Sequence, residues 1–169
     1  RYGNLNTTCI GDYYNPKLRL PGSGGAADFI SYAKRTILTM LGGQFVNELD
    51  YRTSPGYLEG GDSRDRSGFF PPGTGPSMLL STQGVFRFHP ETRELYLAQI
   101  HPRVRLEDVK KKVPWDLKVA TDLKETEPPT EEEIQFIRRF APAQAAGRKL
   151  AQELVVRNLA REAQKNHGG

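Results

Sequence analysis

The stretch "GSGGAADFISYAKRTILTML", from Gly22 to Leu41, decides the fold. Three glycines lie within its first four residues. An apolar run follows in which Ala27, Ile30 and Ala33 recur at helical spacing, and the pattern predicts a helix over 26–34. Asp28 falls near its first turn, where an acid suits the helix dipole. Thr36–Leu41, "TILTML", is short, β-branched and apolar, the composition of a buried strand in an α/β sheet. A helix beside a buried apolar strand, a mixture that continues along the chain, points to the α/β class.

The same loop has a chemical reading. Glycine lets the backbone reach positive φ and lets a ligand come close. A helix start adds unpaired N–H groups carrying partial positive charge. Together they suit an anion, either a phosphate or an oxyanion formed during acyl transfer. A purely steric turn would use the same glycines. No Gly-Lys-Ser/Thr ending follows, so the loop is not a Walker loop. No convincing buried strand precedes Pro21-Gly22, and the spacing departs from the dinucleotide fingerprint. Ser23 lies in Gly-Ser-Gly-Gly rather than Gly-x-Ser-x-Gly, so its hydroxyl reads as a loop hydrogen bond, not a nucleophile.

Working outward, residues 1–21 are rich in Asn, Gly, Tyr and Pro, and "YGNLN" reads as a turn feeding a short extended segment. Gln44–Thr53, "QFVNELDYRT", alternates enough to predict a second strand. Ser54–Pro76 is a long loop dense in glycine, proline and charge, and such loops are usually functional or disordered. Its Glu59 and Asp62 are carboxylates in a long loop and so could face a site; a solvated loop held by turns and local ion pairs is the favoured reading. Val85–His89 and Glu94–Ile100 alternate on either side of "PETR", which predicts a β-hairpin. "RLEDVKKK" predicts a short helix carrying Leu106 and Val109, and Trp115–Ala120 predicts one more strand. After two prolines, Thr130 and Glu133 form a capping box that opens another helix. Beyond Pro142 an amphipathic helix is predicted, with Leu150, Leu154 and Val155 on one face and Leu159 near it.

The length of 169 residues suits one domain or part of a larger one, and 37% hydrophobic residues are enough for a core. Net charge is +4, with part of the excess in Arg148, Lys149, Arg157, Arg161 and Lys165. Such a small excess reads as a solvated helix face rather than a nucleic-acid surface. Cys9 stands alone, which excludes a disulfide within the chain, suits a reducing cytoplasm and reads as a core thiol. No apolar run approaches the ~20 residues of a membrane span, and no signal-peptide pattern occurs. His89, His101 and His167 are scattered without metal-ligand spacing, so no metal site is expected. The opening at Arg1 rather than Met reads as the middle of a domain.

Seven stretches, taken together and in order, carry a resemblance: "RYGNLNTT", "KLRLPGSGGAADF", "AKRTI", "FVNELDYRTSPGYLEGGDSRDRSG", "GTGPSMLLSTQGVFRF", "LAQIHPRVRLEDV" and "TEPPTEEEIQFIRR". The chain resembles the β subunit of family I CoA-transferases, of the glutaconate CoA-transferase type. The resemblance implies that residues 1–140 are the C-terminal portion of a β-subunit-like α/β domain, an open and mainly parallel sheet flanked by helices. Residues 141–169 are then a helical extension. It implies transfer of CoA between an acyl-CoA and a carboxylic acid through a glutamyl-CoA intermediate, by covalent ping-pong catalysis. It also implies a cytoplasmic enzyme that works with a CoA-transferase α subunit in a heterodimer or higher oligomer. No cofactor would be bound permanently; the CoA thioester is substrate. The matching loop makes Gly24 and Gly25 the oxyanion donors, with Gly22 shaping the turn.

The family's catalytic glutamate lies upstream of the "YGNLNTT" region and has no matching position here. It is expected upstream of Arg1 or from a partner, and Glu59 is not assigned its role. Two other readings stay open: a β-like component of a CoA-thioester hydrolase, and a non-catalytic structural subunit whose partner carries the chemistry.

Overall fold

The computed structural model describes residues 1–142 and 146–147. The chain divides into two compact units, Arg1–Thr126 and a second that begins at Glu127.

The first unit opens with a small antiparallel hairpin of β1 (Cys9–Gly11) and β2 (Pro16–Arg19). The glycine loop follows, then α1 (Ala26–Tyr32) and β3 (Thr36–Met40). A long excursion containing the single-turn α2 (Ser63–Arg66) leads to β4 (Pro76–Ser81). Then come β5 (Gly84–Phe88), β6 (Leu95–Ile100), α3 (Leu106–Lys112) and β7 (Lys118–Glu125). The five later strands form one sheet in the order β3-β4-β5-β6-β7.

The α/β class holds, but the sheet is evenly mixed rather than mainly parallel. The outer pairings β3–β4 and β6–β7 are parallel, and the inner pairings β4–β5 and β5–β6 are antiparallel. Short turns join β4, β5 and β6, and a short turn can only return the chain antiparallel. Parallel neighbours need a longer crossover, supplied by residues 41–75 on one side and by α3 on the other.

The core joins α1 and α3 to the sheet. Phe86, Leu95, Leu97 and Val109 are fully buried, packed with Ile30 of α1, Leu38 of β3 and Leu79 of β4. In β6 the buried positions are Leu95, Leu97 and Ile100, a break in strict alternation. The cause is a bulge at Ala98, because Phe86 pairs with Leu97 while Val85 pairs with Gln99. In α3, Glu107 and Asp108 sit in the first turn and Lys110, Lys111 and Lys112 in the last, so its charges complement the dipole while Val109 anchors it inward.

Several expectations need correction. Gln44–Thr53 forms no strand. Phe45 instead packs against Phe86 and Trp115, at ring separations of 5.2 and 5.6 Å, while Tyr51 stacks on Tyr13. The apolar residues of this segment serve separate anchors rather than one face. The run Pro76–Ser81, not anticipated as a strand, is an interior strand of the sheet, hydrogen-bonded on both sides. The last strand lies further along than Trp115–Ala120. Helix α1 ends at Tyr32, where Ala33 turns extended.

In the second unit the capping box forms as read. The Thr130 N–H donates to the Glu133 carboxylate at 2.8 Å, and the Glu133 N–H donates to the Thr130 hydroxyl at 3.2 Å. The helix it opens, α4, covers 131–142. The amphipathic tail face of Leu150, Leu154 and Val155, with Leu159 near it, and His167 lie outside the described residues.

Candidate functional site

The glycine loop is exposed at Gly24 and Gly25, just ahead of α1, with Gly25 as the helix N-cap. Gly22 and Gly24 both take positive φ, +88° and +51°, and a Cβ at either would meet nothing within 4 Å. Their requirement for glycine is therefore torsional, not steric. The three N–H groups differ in use. Gly22 donates to the Thr7 carbonyl at 2.7 Å, and so holds the loop to the fold. Among the described residues, the N–H groups of Gly24 and Gly25 have no hydrogen-bond partner. Ser23 donates its hydroxyl to the Gly24 carbonyl at 3.0 Å, the loop role read from its sequence context.

Three stretches far apart in sequence are tied together around this loop. Thr7 and Thr8 both hold it, since Leu20 also donates to the Thr8 carbonyl at 2.8 Å. The same two threonines meet Thr53: the Thr7 N–H donates to the Thr53 hydroxyl, and the Thr8 and Thr53 hydroxyls share a bond of 2.7 Å. Further upstream, Asn4 is held by three bonds. Its amide donates to the Leu58 carbonyl at 2.7 Å, and its carbonyl accepts from the Gly56 and Leu58 N–H groups. Leu5 and Ser54 bridge in antiparallel fashion between them. The "YGNLNTT" segment is thus a seam, with the glycine loop on one side and the "SPGYLEGG" loop on the other.

Arg64 closes the arrangement from behind. It is buried to 1% exposure. Its guanidinium donates to the carbonyls of Pro55 and Gly56, to those of Ile30 and Ser31 in α1, and to the Thr74 hydroxyl. Its guanidinium carbon lies 4.0 Å from the centre of the Phe70 ring. Burial lowers its pKa from the ordinary guanidinium value, opposed by the charges of Tyr57 and Asp65. No sequence pattern marked Arg64, because one arginine in "GGDSRDR" looks like any surface charge.

Cys9 is fully buried. Glu59 pairs with Arg52, and Asp62 with Arg66 at 2.9 Å, on exposed side chains. His89 accepts from the Glu91 and Thr92 N–H groups and shapes the β5–β6 turn. His101 bridges the Ser81 carbonyl and the Thr126 hydroxyl, each at 2.9 Å. A cleft of about 350 Å³ lies between the first residues and the 44–49 segment, with Asn4, Phe45, Arg52 and Glu59 in its wall. Gly22, Gly24 and Gly25 do not line it. Among the described residues no group of three His, Cys, Asp or Glu side chains could hold a metal ion, and no helix is long and apolar enough to cross a membrane.

The segments so tied coincide with a known pattern. A family model described as Coenzyme A transferase matches residues 1–112. The chain belongs to the coenzyme A transferase family. This coenzyme A transferase chain is 37% identical over 148 residues to the B-type subunit of 3-oxoadipate CoA-transferase from Pseudomonas knackmussii, a match covering 86% of the chain and 56% of that relative. It is 38% identical over 146 residues to the B-type subunit of glutaconate CoA-transferase from Acidaminococcus fermentans, covering 85% and 54%. The crystal structure of glutaconate coenzyme A-transferase from Acidaminococcus fermentans superposes with a TM-score of 0.72 at 38% identity, over 81% of this chain and 52% of that one. The chain spans about half the length of the relatives it matches. The family match holds the glycine loop, its threonine seam and the Arg64 segment within one matched region.

Proposed function

We propose that this chain is part of the β subunit of a CoA-transferase, moving CoA between an acyl-CoA and a carboxylic acid. The observation that carries the reading is the pair of unpartnered N–H groups at Gly24 and Gly25, in a loop fixed to the fold through Gly22. Two free donors in a fixed, exposed loop suit the negative charge that gathers on a thioester oxygen under attack.

In this reading a glutamate carboxylate, contributed from outside these 169 residues, attacks the thioester carbon. The carbonyl electrons move to oxygen, where Gly24 and Gly25 donate. Collapse expels CoA thiolate and leaves a mixed anhydride. The thiolate then attacks the glutamyl carbonyl, giving an enzyme-bound glutamyl-CoA thioester and free carboxylate. An acceptor acid takes up the CoA by the reverse steps. The partner is the α subunit, the CoA thioester is substrate rather than resident cofactor, and the enzyme works in the cytoplasm. The boundary of the extension at residue 141 belongs to the same proposal.

The test uses the complete protein with its partner subunit. Incubation with acyl-CoA and then borohydride should reduce a trapped glutamyl thioester, and labelled acid should exchange into acyl-CoA in a ping-pong pattern. Release of free CoA without any acceptor acid would overturn transfer in favour of hydrolysis.

A further inference from the structure

Helix α1 lacks the means to hold its own position. It has seven residues, too few for a stable isolated helix. Its N-cap, Gly25, makes no side-chain capping bond, and its last turn has no basic residue. One residue, Ile30, is buried. The last carbonyls of any helix lack intrahelical partners and carry partial negative charge, so a cation there is favourable.

Arg64 supplies that cation from elsewhere in the chain. One of its terminal nitrogens donates to Ile30 at 2.8 Å and Ser31 at 2.9 Å, the carbonyls of that last turn. The other donates to Pro55 at 3.0 Å and Gly56 at 2.8 Å, in the loop already tied to Asn4. Among the described residues its guanidinium meets no carboxylate. A buried charge without a counter-ion is costly unless its hydrogen bonds are well made. Here carbonyl dipoles from two segments, a hydroxyl and an aromatic face stand in for the counter-ion at the two terminal nitrogens, while Nε has no partner among the described residues. A lysine could not match this, because a point ammonium lacks the planar fork that reaches both segments at once.

We infer that Arg64 is a positioning residue for the glycine loop: it anchors the C-terminal end of α1, and the helix transmits that placement to Gly24 and Gly25 at its other end. Seven residues at ~1.5 Å each span roughly 10 Å, so a small tilt at the anchor displaces the donors. The inference rests on the proposed oxyanion role of that loop.

The experiment compares wild type, Arg64→Lys and Phe70→Leu in the complete enzyme with its partner subunit. Hydrogen exchange of residues 26–32 reads the anchor, and steady-state kinetics read the donors. For Arg64→Lys, α1 amides should exchange about 10-fold faster or more, and kcat should fall about 10- to 100-fold with KM within about 3-fold, the signature of an interaction made in the transition state. Phe70→Leu keeps the guanidinium but removes its ring face, and should shift both readouts the same way by about 3-fold. Should Arg64→Lys fail to fold, Phe70→Leu alone decides. Unchanged exchange in α1 overturns the anchor and leaves the oxyanion reading standing. Faster exchange with kcat intact overturns the link from helix to catalysis. Failure of borohydride trapping in wild type, with exchange behaving as described, would instead count against the oxyanion reading. Arg66→Lys, an exposed neighbour paired with Asp62, is the control and should change neither readout.

Discussion

The Gly22 N–H donates to the Thr7 carbonyl at 2.7 Å, and this bond separates the three loop glycines by task. Gly22 fastens the loop, while Gly24 and Gly25 keep donors that are free among the described residues. Gly24→Val should therefore lower kcat of the complete enzyme by about 100-fold: valine keeps the N–H, but a β-branched residue does not hold φ near +51°, so the donor is turned away from the oxyanion. Gly22→Ala should show itself as a lower thermal midpoint, since alanine at positive φ costs about 1–2 kcal/mol. Steady-state kinetics and a melting curve on the two variants test this division; full activity in Gly24→Val would refute the donor role.

Asn4 is the other fastening. Its side chain makes three bonds to residues 56–58. Asn4→Ala leaves those backbone groups to find water, at a cost of about 1–3 kcal/mol. A lower urea midpoint with an unchanged slope is the expected result.

The core makes a sharper demand. Leu97 is fully buried within the five-stranded sheet. Leu97→Ala should destabilise the first unit by about 2–5 kcal/mol, read by chemical denaturation.

Acid should loosen the start of α4. The Thr130 N–H and then its hydroxyl hold the Glu133 carboxyl below its ordinary value of 4.5. The folded value lies below the unfolded one, so this stabilisation is present above pH 4.5 and disappears as pH falls through the folded value. An NMR titration of the Glu133 carboxyl should give a midpoint below 4.5, and Thr130→Ala should move it upward.

Elements held by local signals were legible in the sequence. The strand at Thr36–Met40, the hairpin of β5 and β6, α3 and the capping box each announce themselves through spacing or turn chemistry. Interior burial hid β4, whose exposure pattern does not alternate. The register shift between Leu97 and Gln99 on β6, where the β7 partners jump from Val119 to Lys124, blurred the last strand. Gln44–Thr53 misled for the opposite reason: it alternates, yet its apolar residues pack on different neighbours. At the site, the glycines were legible as a motif. Arg64 was not, because its acceptors are mostly backbone carbonyls, and any sequence can present those.

The bonds that knit the site are long in sequence. Asn4 and Gly56 are 52 residues apart, Thr7 and Thr53 46, and Arg64 and Ile30 34. Each closes a large loop before any of its reward arrives, and such contacts slow folding. A chain leaving the ribosome N-terminus first must hold its "YGNLNTT" segment without its partners at 53–58 until those have emerged, and α1 without its anchor until Arg64 has. Assembly of the loop environment thus waits on residues that emerge well after the glycines, and truncation between Gly25 and Arg64 would leave the glycine motif intact in sequence but without its anchor.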